Sequence, residues 1–280
     1  MNQKIAYQGS VGAHSYLACK KYYENHEPIS VLSFSQVFES VQNGEAEFGV
    51  IPLENSYAGR VSEIHNLLHS SNLSIVAEHF LPISHNLAVL PGVQINEVKE
   101  IISHPQALMQ CQNNLRGIDA ELKEYSNTAK AAQRVASKAD RSLAAICSKE
   151  AAQTNGLEVL QADIQDAEND NTTVFIVVSK EGIDPDPADG TVLTTMLFTI
   201  RNITGSLYKA IGGFATNNVN MVKLESYIPG GMSKQAKFFI TIEGHPSQQN
   251  VALALEELGF FSRGVKLIGV YHADKARLAS

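Results

Sequence analysis

The residues best suited to do chemistry lie in five short polar turns. The most informative is Asp170-Asn171-Thr172-Thr173, set directly against the apolar run Val174-Phe175-Ile176-Val177-Val178. Its hydroxyls and amides can hydrogen-bond a polar ligand, but threonine is a poor nucleophile unless a base adjoins it. Gln8-Gly9-Ser10-Val11-Gly12-Ala13-His14-Ser15 is a glycine loop that leads into a helical stretch over 16–23. Such a loop offers backbone N–H groups to an anion. Glu54-Asn55-Ser56 follows an apolar segment that stops at Pro52. Ser103-His104-Pro105-Gln106 has capping-box spacing with a proline in the first turn. Ser126-Asn127-Thr128-Ala129 opens another helix. Singly, each turn is better explained as a helix cap or an Asx or Ser/Thr turn.

The elements that must position these turns alternate between strand and helix. Val174–Val178 is β-branched and nearly continuous, the pattern of a central strand. Lys4–Tyr7, Phe48–Leu53 and Val98–Ile102 read as further strands, and Val61, Ile64, Leu67 and Leu68 share one face of a helix. Open α/β sheets bind ligands beside strand ends, where these turns lie. Residues 180–190 are polar, contain two prolines and have no period, so they read as a linker. Beyond it come a strand (Thr191–Ile200), a helix (Gly205–Ala215) and two strands (Val219–Tyr227, Ala236–Ile242) joined at Gly230-Gly231. A helix (Ser247–Leu258) ended by Gly259 and a last strand (Val265–Tyr271) complete the pattern. The order β-α-β-β-α-β is the ferredoxin-like plan.

Composition narrows the function classes. The chain has 280 residues, 44% of them hydrophobic, which suits one large or two ordinary globular domains. No run approaches the roughly 18 apolar residues of a membrane span, so no membrane partner is expected. Met1-Asn2-Gln3-Lys4 leads straight into a strand without a secretory apolar region. Three cysteines, Cys19, Cys111 and Cys147, form no close-spaced pair. An odd count argues against a disulfide framework, and a reduced, cytoplasmic setting is the expectation. Residues 1–190 carry a net charge of −11 and residues 191–280 a net charge of +4. An acidic first part does not favour nucleic acid.

Jointly, the turns resemble the prephenate dehydratase family. The matching blocks are Tyr7-Gln8-Gly9 with Gly12-Ala13 and Ser15, then Gly49-Val50-Ile51-Pro52-Leu53-Glu54-Asn55-Ser56 with Gly59. Ser103-His104-Pro105-Gln106-Ala107-Leu108 with Gln110-Cys111, Asn127-Thr128-Ala129, and Asp170-Asn171-Thr172-Thr173 with Phe175 complete the series in the family's order. The resemblance implies a two-lobed α/β catalytic domain over 1–182, similar to type II periplasmic binding proteins. The chain should cross between lobes near 75–82 and return near 155–165. The implied reaction turns prephenate into phenylpyruvate, water and carbon dioxide, with no metal or organic cofactor. Thr173 takes the place of the family's essential threonine and would donate a hydrogen bond to the leaving hydroxyl. Glu54, Asn55, Ser56, His104, Gln106, Ser126, Thr128 and Ala129 would line the substrate site, with Phe175 against the ring. Prephenate is a dianion, so the site needs local positive potential. Helix N-termini at Gly12-Ala13, Ser103 and Asn127, with Lys130 and Arg60, are the candidate sources. One departure stands out: the family usually has arginine where this chain has Val174. If strand pairing starts by Thr173, position 174 faces away from the threonine hydroxyl.

Residues 191–280 resemble the ACT regulatory module, which in this family binds phenylalanine. The matches are Gly205-Ser206-Leu207, Asn220 and Lys223-Leu224-Glu225-Ser226, with Tyr227-Ile228 where the family commonly has arginine. The resemblance implies feedback by phenylalanine at Gly205, Ser206, Leu207, Asn220, Leu224, Glu225 and Ser226, across the subunit interface of a dimer or tetramer. Glu225 would meet the ligand ammonium or make a structural ion pair. Arogenate is the alternative substrate, and a non-catalytic amino-acid-sensing regulator is the alternative outside enzymes.

Overall fold

The computed structural model describes residues 3–166, 171–201, 203–228 and 236–278. Asp170, Pro229 and the Gly230-Gly231 turn lie outside them. In chain order the elements begin with β1 (Lys4–Gln8), α1 (His14–Tyr22), β2 (Glu27–Val31), α2 (Phe34–Gln42), β3 (Phe48–Asn55), β4 (Gly59–Arg60), α3 (Ser62–Ser70) and β5 (Ser74–Pro82). Next are β6 (Asn86–Val89), β7 (Glu100–Ser103), α4 (Pro105–Gln110), α5 (Gln112–Leu115), β8 (Glu121–Glu124), α6 (Thr128–Lys138), β9 (Leu143–Cys147), α7 (Lys149–Thr154) and β10 (Glu158–Gln161). The last are β11 (Thr172–Ser179), β12 (Val192–Ile200), α8 (Ser206–Thr216), β13 (Met221–Tyr227), β14 (Lys237–Glu243), α9 (Gln249–Phe261), β15 (Ser262–His272) and α10 (Lys275–Leu278).

The chain forms two compact units, and their seams cross the sequence several times. One comprises residues 1–37, 50–60 and 80–175; the other comprises 38–49, 61–79 and 176–280. In the first, β1 and β2 pair in parallel, and β3 turns back on the two-residue β4. A separate five-stranded sheet runs β10-β6-β9-β7-β8. Its inner strands β6, β9 and β7 are short and largely buried, and helices cover both of their faces. Leu87, Ile101 and Ile146 pack with Leu108 and Leu115 on one side, while Ala88, Ala145 and Cys147 pack with Ala131, Ala132 and Val135 on the other. This burial on both faces is why those strands read as continuous apolar runs. The second sheet occupies residues 86–161, so the outward crossing falls at 83–85, just past the expected 75–82. β10, the last strand of that sheet in chain order, ends at Gln161, within the expected 155–165.

In the second unit the strands run β13-β14-β12-β15-β5. The first four, with α8 and α9, realise the ferredoxin-like plan. Met196, Phe198, Phe239's neighbours Phe238 and Ile240, and Ile242 face Phe214, Val251 and Leu258 of the helices. β5 joins β15 in parallel at Ile75 and Gly269. A Cβ at Gly269 would stand 2.4 Å from the Ile75 carbonyl oxygen, so this contact requires glycine. α9 does not stop at Gly259; it runs on to Phe261 and hands over directly to β15.

Among the described residues no helix is long and apolar enough to cross a membrane, and no group of three or more His, Cys, Asp or Glu could hold a metal ion. The three cysteines are free and buried. Burial pushes each thiol up to about 12, which leaves them protonated and unreactive.

Candidate functional site

Asn55 joins two of the polar turns. It ends β3, and its Oδ1 accepts the backbone N–H of Tyr57 at 3.0 Å and of Ala58 at 2.9 Å, an Asx turn. That leaves Nδ2 as the donor. It reaches Asn171 Oδ1 at 2.8 Å, the Thr172 carbonyl at 3.2 Å and Thr173 Oγ1 at 3.0 Å. Ser56 ties the same two segments together. Its N–H donates to the Thr172 carbonyl at 2.9 Å, and its hydroxyl accepts from the Thr172 N–H at 3.0 Å. Two turns far apart in sequence thus become one surface.

Thr173 lies within β11, which begins at Thr172. Its Oγ1 accepts from Asn55, and no described residue takes its proton, so the hydroxyl is available as a donor. Val174 is buried and, one residue on in a regular strand, occupies the opposite face. The valine that replaces the arginine of the related pattern therefore stands away from the threonine hydroxyl. Phe175 returns to the Thr173 side, but its ring is 1% exposed and packs in the core.

A cavity of about 340 Å³ adjoins this surface, lined by Tyr57, Ala58, Gln106, Met109, Gln110, Gln165, Asp166 and Asn171. Gln106 and Gln110 belong to α4. Gln110 Oε1 accepts from Asn171 Nδ2 at 3.1 Å and is 2.7 Å from His85 Nε2. Asp166 brings negative charge to the rim, yet its carboxylate is held by the N–H groups of Asn113 and Asn114 at 2.9–3.1 Å, at the start of α5. Four of the eight lining residues are amides, which can hydrogen-bond carboxylates, carbonyls and hydroxyls.

The other expected site residues are placed as follows. Glu54 lies on β3 opposite Arg60. His104, not Ser103, caps α4: its Nδ1 accepts from the Gln106 N–H at 3.3 Å. The predicted capping box fails because Ser103 still belongs to β7 and gives its hydroxyl to the Ile146 carbonyl at 2.6 Å. Burial lowers the His104 pKa, and the nearby Glu124 only partly opposes that. Asn127 caps α6 as expected, accepting from the Lys130 N–H at 2.7 Å. Thr128 opens that helix, Ala129 is buried in its first turn, and Ser126 is exposed just before it. Gly12 and α7 are joined through the Ser148 hydroxyl, which donates to the Gly12 carbonyl at 2.7 Å.

His85 and Gln110 complete the network, and neither figured among the sequence's site candidates. Gln110 had a signal, as part of the Gln110-Cys111 match. His85 had a weaker one: Ser84-His85-Asn86 interrupts two apolar runs.

In the second unit, Gly205 precedes α8 in the left-handed conformation, with φ of 71°. Ser206 is buried, Leu207 packs on the helix core, and Asn220 is exposed. Leu224 and Ser226 are exposed on β13, the edge strand. Glu225 is already paired: Lys223 Nζ is 3.0 Å from one carboxylate oxygen and His65 Nε2 is 2.7 Å from the other. Burial works to raise this carboxyl, but His65 and Lys223 together outweigh it and hold it near 2. A second cluster joins Ser247, His245 and Asp184. The serine hydroxyl is 2.6 Å from His245 Nδ1, and His245 Nε2 is 2.8 Å from the Asp184 carboxylate.

Comparison with known proteins gives a consistent family. The prephenate dehydratase family model matches residues 5–183. A bifunctional N-acyl-homoserine lactone acylase/prephenate dehydratase of Komagataeibacter europaeus is 38% identical, over 98% of this chain and 97% of that protein. Arogenate dehydratase 2 of Petunia hybrida is 34% identical, over 97% of this chain and 72% of its own length. Among solved structures, the prephenate dehydratase of Arthrobacter aurescens in complex with L-Phe is 28% identical, with a TM-score of 0.88 over 96% of this chain and 90% of that one.

Proposed function

The chain belongs to the prephenate dehydratase family, and from that premise we propose that it converts prephenate to phenylpyruvate, water and carbon dioxide, using Thr173 as the hydrogen-bond donor to the departing hydroxyl. The observation that carries this reading is the bond from Asn55 to Thr173. Because Oγ1 accepts from Nδ2, its own proton points elsewhere and is free for the substrate. A threonine hydroxyl is too weak an acid to protonate a leaving group outright. A positioned hydrogen bond to developing negative charge, with water as the proton source, is the role its chemistry allows. Aromatisation drives the step, and alignment of the ring carboxylate with the departing oxygen lowers its barrier.

Gln106, Gln110 and Asn171 supply further polar contacts, and Asn55 and Ser56 hold the surface in register. The first turns of α1 and α6 offer backbone N–H groups for the two carboxylates. Glu54, His104, Ser126, Thr128 and Ala129 complete the proposed substrate region. Arogenate differs from prephenate by an amino group in place of the keto group, and the relative from Petunia makes it the second substrate to test. Turnover of both compounds by the purified protein, beside Thr173→Ala, tests the reading. Failure with both compounds defeats it.

The domain assignment proposed is a dehydratase domain over 1–182 and an ACT domain over 191–280. Phenylalanine is the proposed effector, at Gly205, Ser206, Leu207, Asn220, Leu224, Glu225 and Ser226. The ferredoxin-like topology supports this, as does the phenylalanine complex of the Arthrobacter relative. Pairing of the exposed β13 edge with a second copy would make a homo-oligomer.

A second reading adds acyl transfer. The Komagataeibacter relative carries that activity in its name, and Ser247, His245 and Asp184 have the hydrogen-bonded order of nucleophile, base and orienting acid. His245 Nδ1 would take the serine proton as Oγ attacks the amide carbonyl. The amine would leave with that proton, and water would hydrolyse the acyl-serine. Release of fatty acid from N-acyl-homoserine lactones, lost in Ser247→Ala while dehydration is retained, is the test. Absence of release from the unaltered protein rejects it.

A further inference from the structure

The amide network beside Thr173 has a fixed polarity, and it can be read outward from one unambiguous point. Backbone N–H groups can only donate, so the Tyr57 and Ala58 contacts make the bonded Asn55 atom its oxygen. The other Asn55 atom is then NH₂, which makes its partner on Asn171 the carbonyl oxygen. Asn171 therefore turns its own NH₂ to Gln110, whose bonded atom must be Oε1. His85 meets that same oxygen at 2.7 Å and has to donate to it. Each carboxamide has one acceptor and one donor end, so no member can turn over without facing like against like.

We infer that His85, as the neutral tautomer protonated on Nε2, is a positioning residue that fixes which way Gln110 presents its carboxamide to the substrate. With Oε1 held by His85 and Asn171, Gln110 keeps Nε2 for the cavity it lines, and no described residue takes those protons. Substrate carboxylates, carbonyl and leaving hydroxyl are all acceptors, so a donor facing them is the productive orientation. The inference rests on the dehydratase reading of this site.

The surroundings of His85 suit that single tautomer. The residue is 3% exposed. Its backbone is held on both sides: the N–H donates to Gln165 Oε1 at 2.9 Å, and the carbonyl accepts from the Ile164 N–H at 2.8 Å. Nδ1 is buried and has no partner among the described residues, as an unprotonated nitrogen would be. The His14 ring stands edge-on with centroids 5.9 Å apart, and its Nε2 is likewise buried and unpartnered. Two imidazoles so close in a dry pocket resist a shared charge. Burial lowers both, His14 to about 3.

Two measurements test the assignment. In ¹⁵N-histidine-labelled protein, His85 should show a protonated Nε2 and a bare Nδ1 across neutral pH. An Nδ1–H tautomer or an imidazolium would overturn the inference, whether or not the protein turns over prephenate. In kinetics, His85→Leu should lower kcat/KM by roughly 10–10², the scale of a misaligned catalytic contact. His85→Gln, whose amide nitrogen can stand where Nε2 stood, should recover most of that loss. In a Gln110→Ala background, His85→Leu should cost less than about threefold more, because the group it positions is gone. A full, multiplicative loss in that background, or His85→Gln as impaired as His85→Leu at equal thermal stability, would overturn it. No turnover of prephenate or arogenate by the unaltered protein would instead reject the dehydratase reading, and the labelled spectrum would still decide the tautomer.

Discussion

Glu225 has a carboxylate oxygen 2.7 Å from Nε2 of His65, a fully buried histidine on α3. The two are far apart in sequence: His65 falls within the segment matched by the dehydratase family model, Glu225 within the ferredoxin-like module. The His65 ring also packs against Tyr227 and Phe239, with centroids 5.3 and 5.0 Å away. A ligand ammonium that engages Glu225 must compete with His65 and Lys223. Such competition is the kind of differential contact that coupling between sites requires.

Freeing Glu225 from His65 should therefore strengthen phenylalanine binding. His65→Leu is expected to lower the half-inhibitory phenylalanine concentration by about fivefold or more, within the usual range of coupling between sites. Inhibition curves for the variant and the unaltered enzyme measure this. An unchanged or higher half-inhibitory concentration would separate Glu225 from the effector site.

Thr173→Ala removes the hydroxyl that Asn55 orients but leaves a small residue in an intact strand. Turnover should fall by roughly 10²–10⁴, the scale of lost proton-transfer assistance, with little change in thermal midpoint. Thr173→Ser should keep most of the activity, since it retains the hydroxyl. Near-normal turnover in the alanine variant would remove Thr173 from the chemistry.

Glu78 is 4% exposed, and Arg277 grips it with two hydrogen bonds of 2.6 and 2.8 Å. Arg277→Ala should cost about 3–5 kcal/mol, because a buried carboxylate is left without its partner. Glu78→Gln with Arg277→Ala should recover part of that loss. Urea unfolding of the three proteins checks it; a cost below about 1 kcal/mol for Arg277→Ala would mean that water already solvates the pair.

Acid should weaken the fold, and it should begin to do so near the ordinary value of histidine. The folded protein holds the His14 pKa at about 3, below its ordinary 6.5. The unfolded chain thus binds a proton that the native state refuses, and stability falls as pH drops from 6.5 toward 3. Glu225, held near 2 against an ordinary 4.5, adds a second loss as pH drops below 4.5. Both contributions are fully present above those ordinary values. Urea midpoints at pH 7, 5.5 and 4.5 should decline in that order, and His14→Phe should flatten the upper step. A midpoint that rises on acidification would contradict the buried, neutral state of His14.

The fold was legible in the sequence where pattern and burial agree. β11 and the ferredoxin-like order follow from apolar runs and turn residues that local physics recognises. Ends were harder. Ser103 and Gln106 have capping-box spacing, but the strand's claim on Ser103 moved the cap to His104. Gly259 resembles a helix stop, but α9 passes through it because nothing there needs a left-handed residue. Asn55 and Asn171 each stood out locally, whereas their hydrogen bond joins positions 116 apart, and no local period encodes it. His85 was harder still: its importance lies in one oxygen of Gln110, a relation visible only once both chains of atoms have folded.

One compact unit draws residues 61–79 together with 176–280, although the polar linker at 180–190 looks like the natural place to divide the chain. A gene fusion made at that linker would therefore not move a finished part. The exchanged module would leave behind α3 and most of β5, with Glu78 stripped of its arginine and His65 of its acid. Ancestry should follow the same rule. Change along the upstream helix and strand is answerable to change in the C-terminal sheet, so the ferredoxin-like part and residues 61–79 are expected to descend as one inherited piece rather than as a detachable cassette.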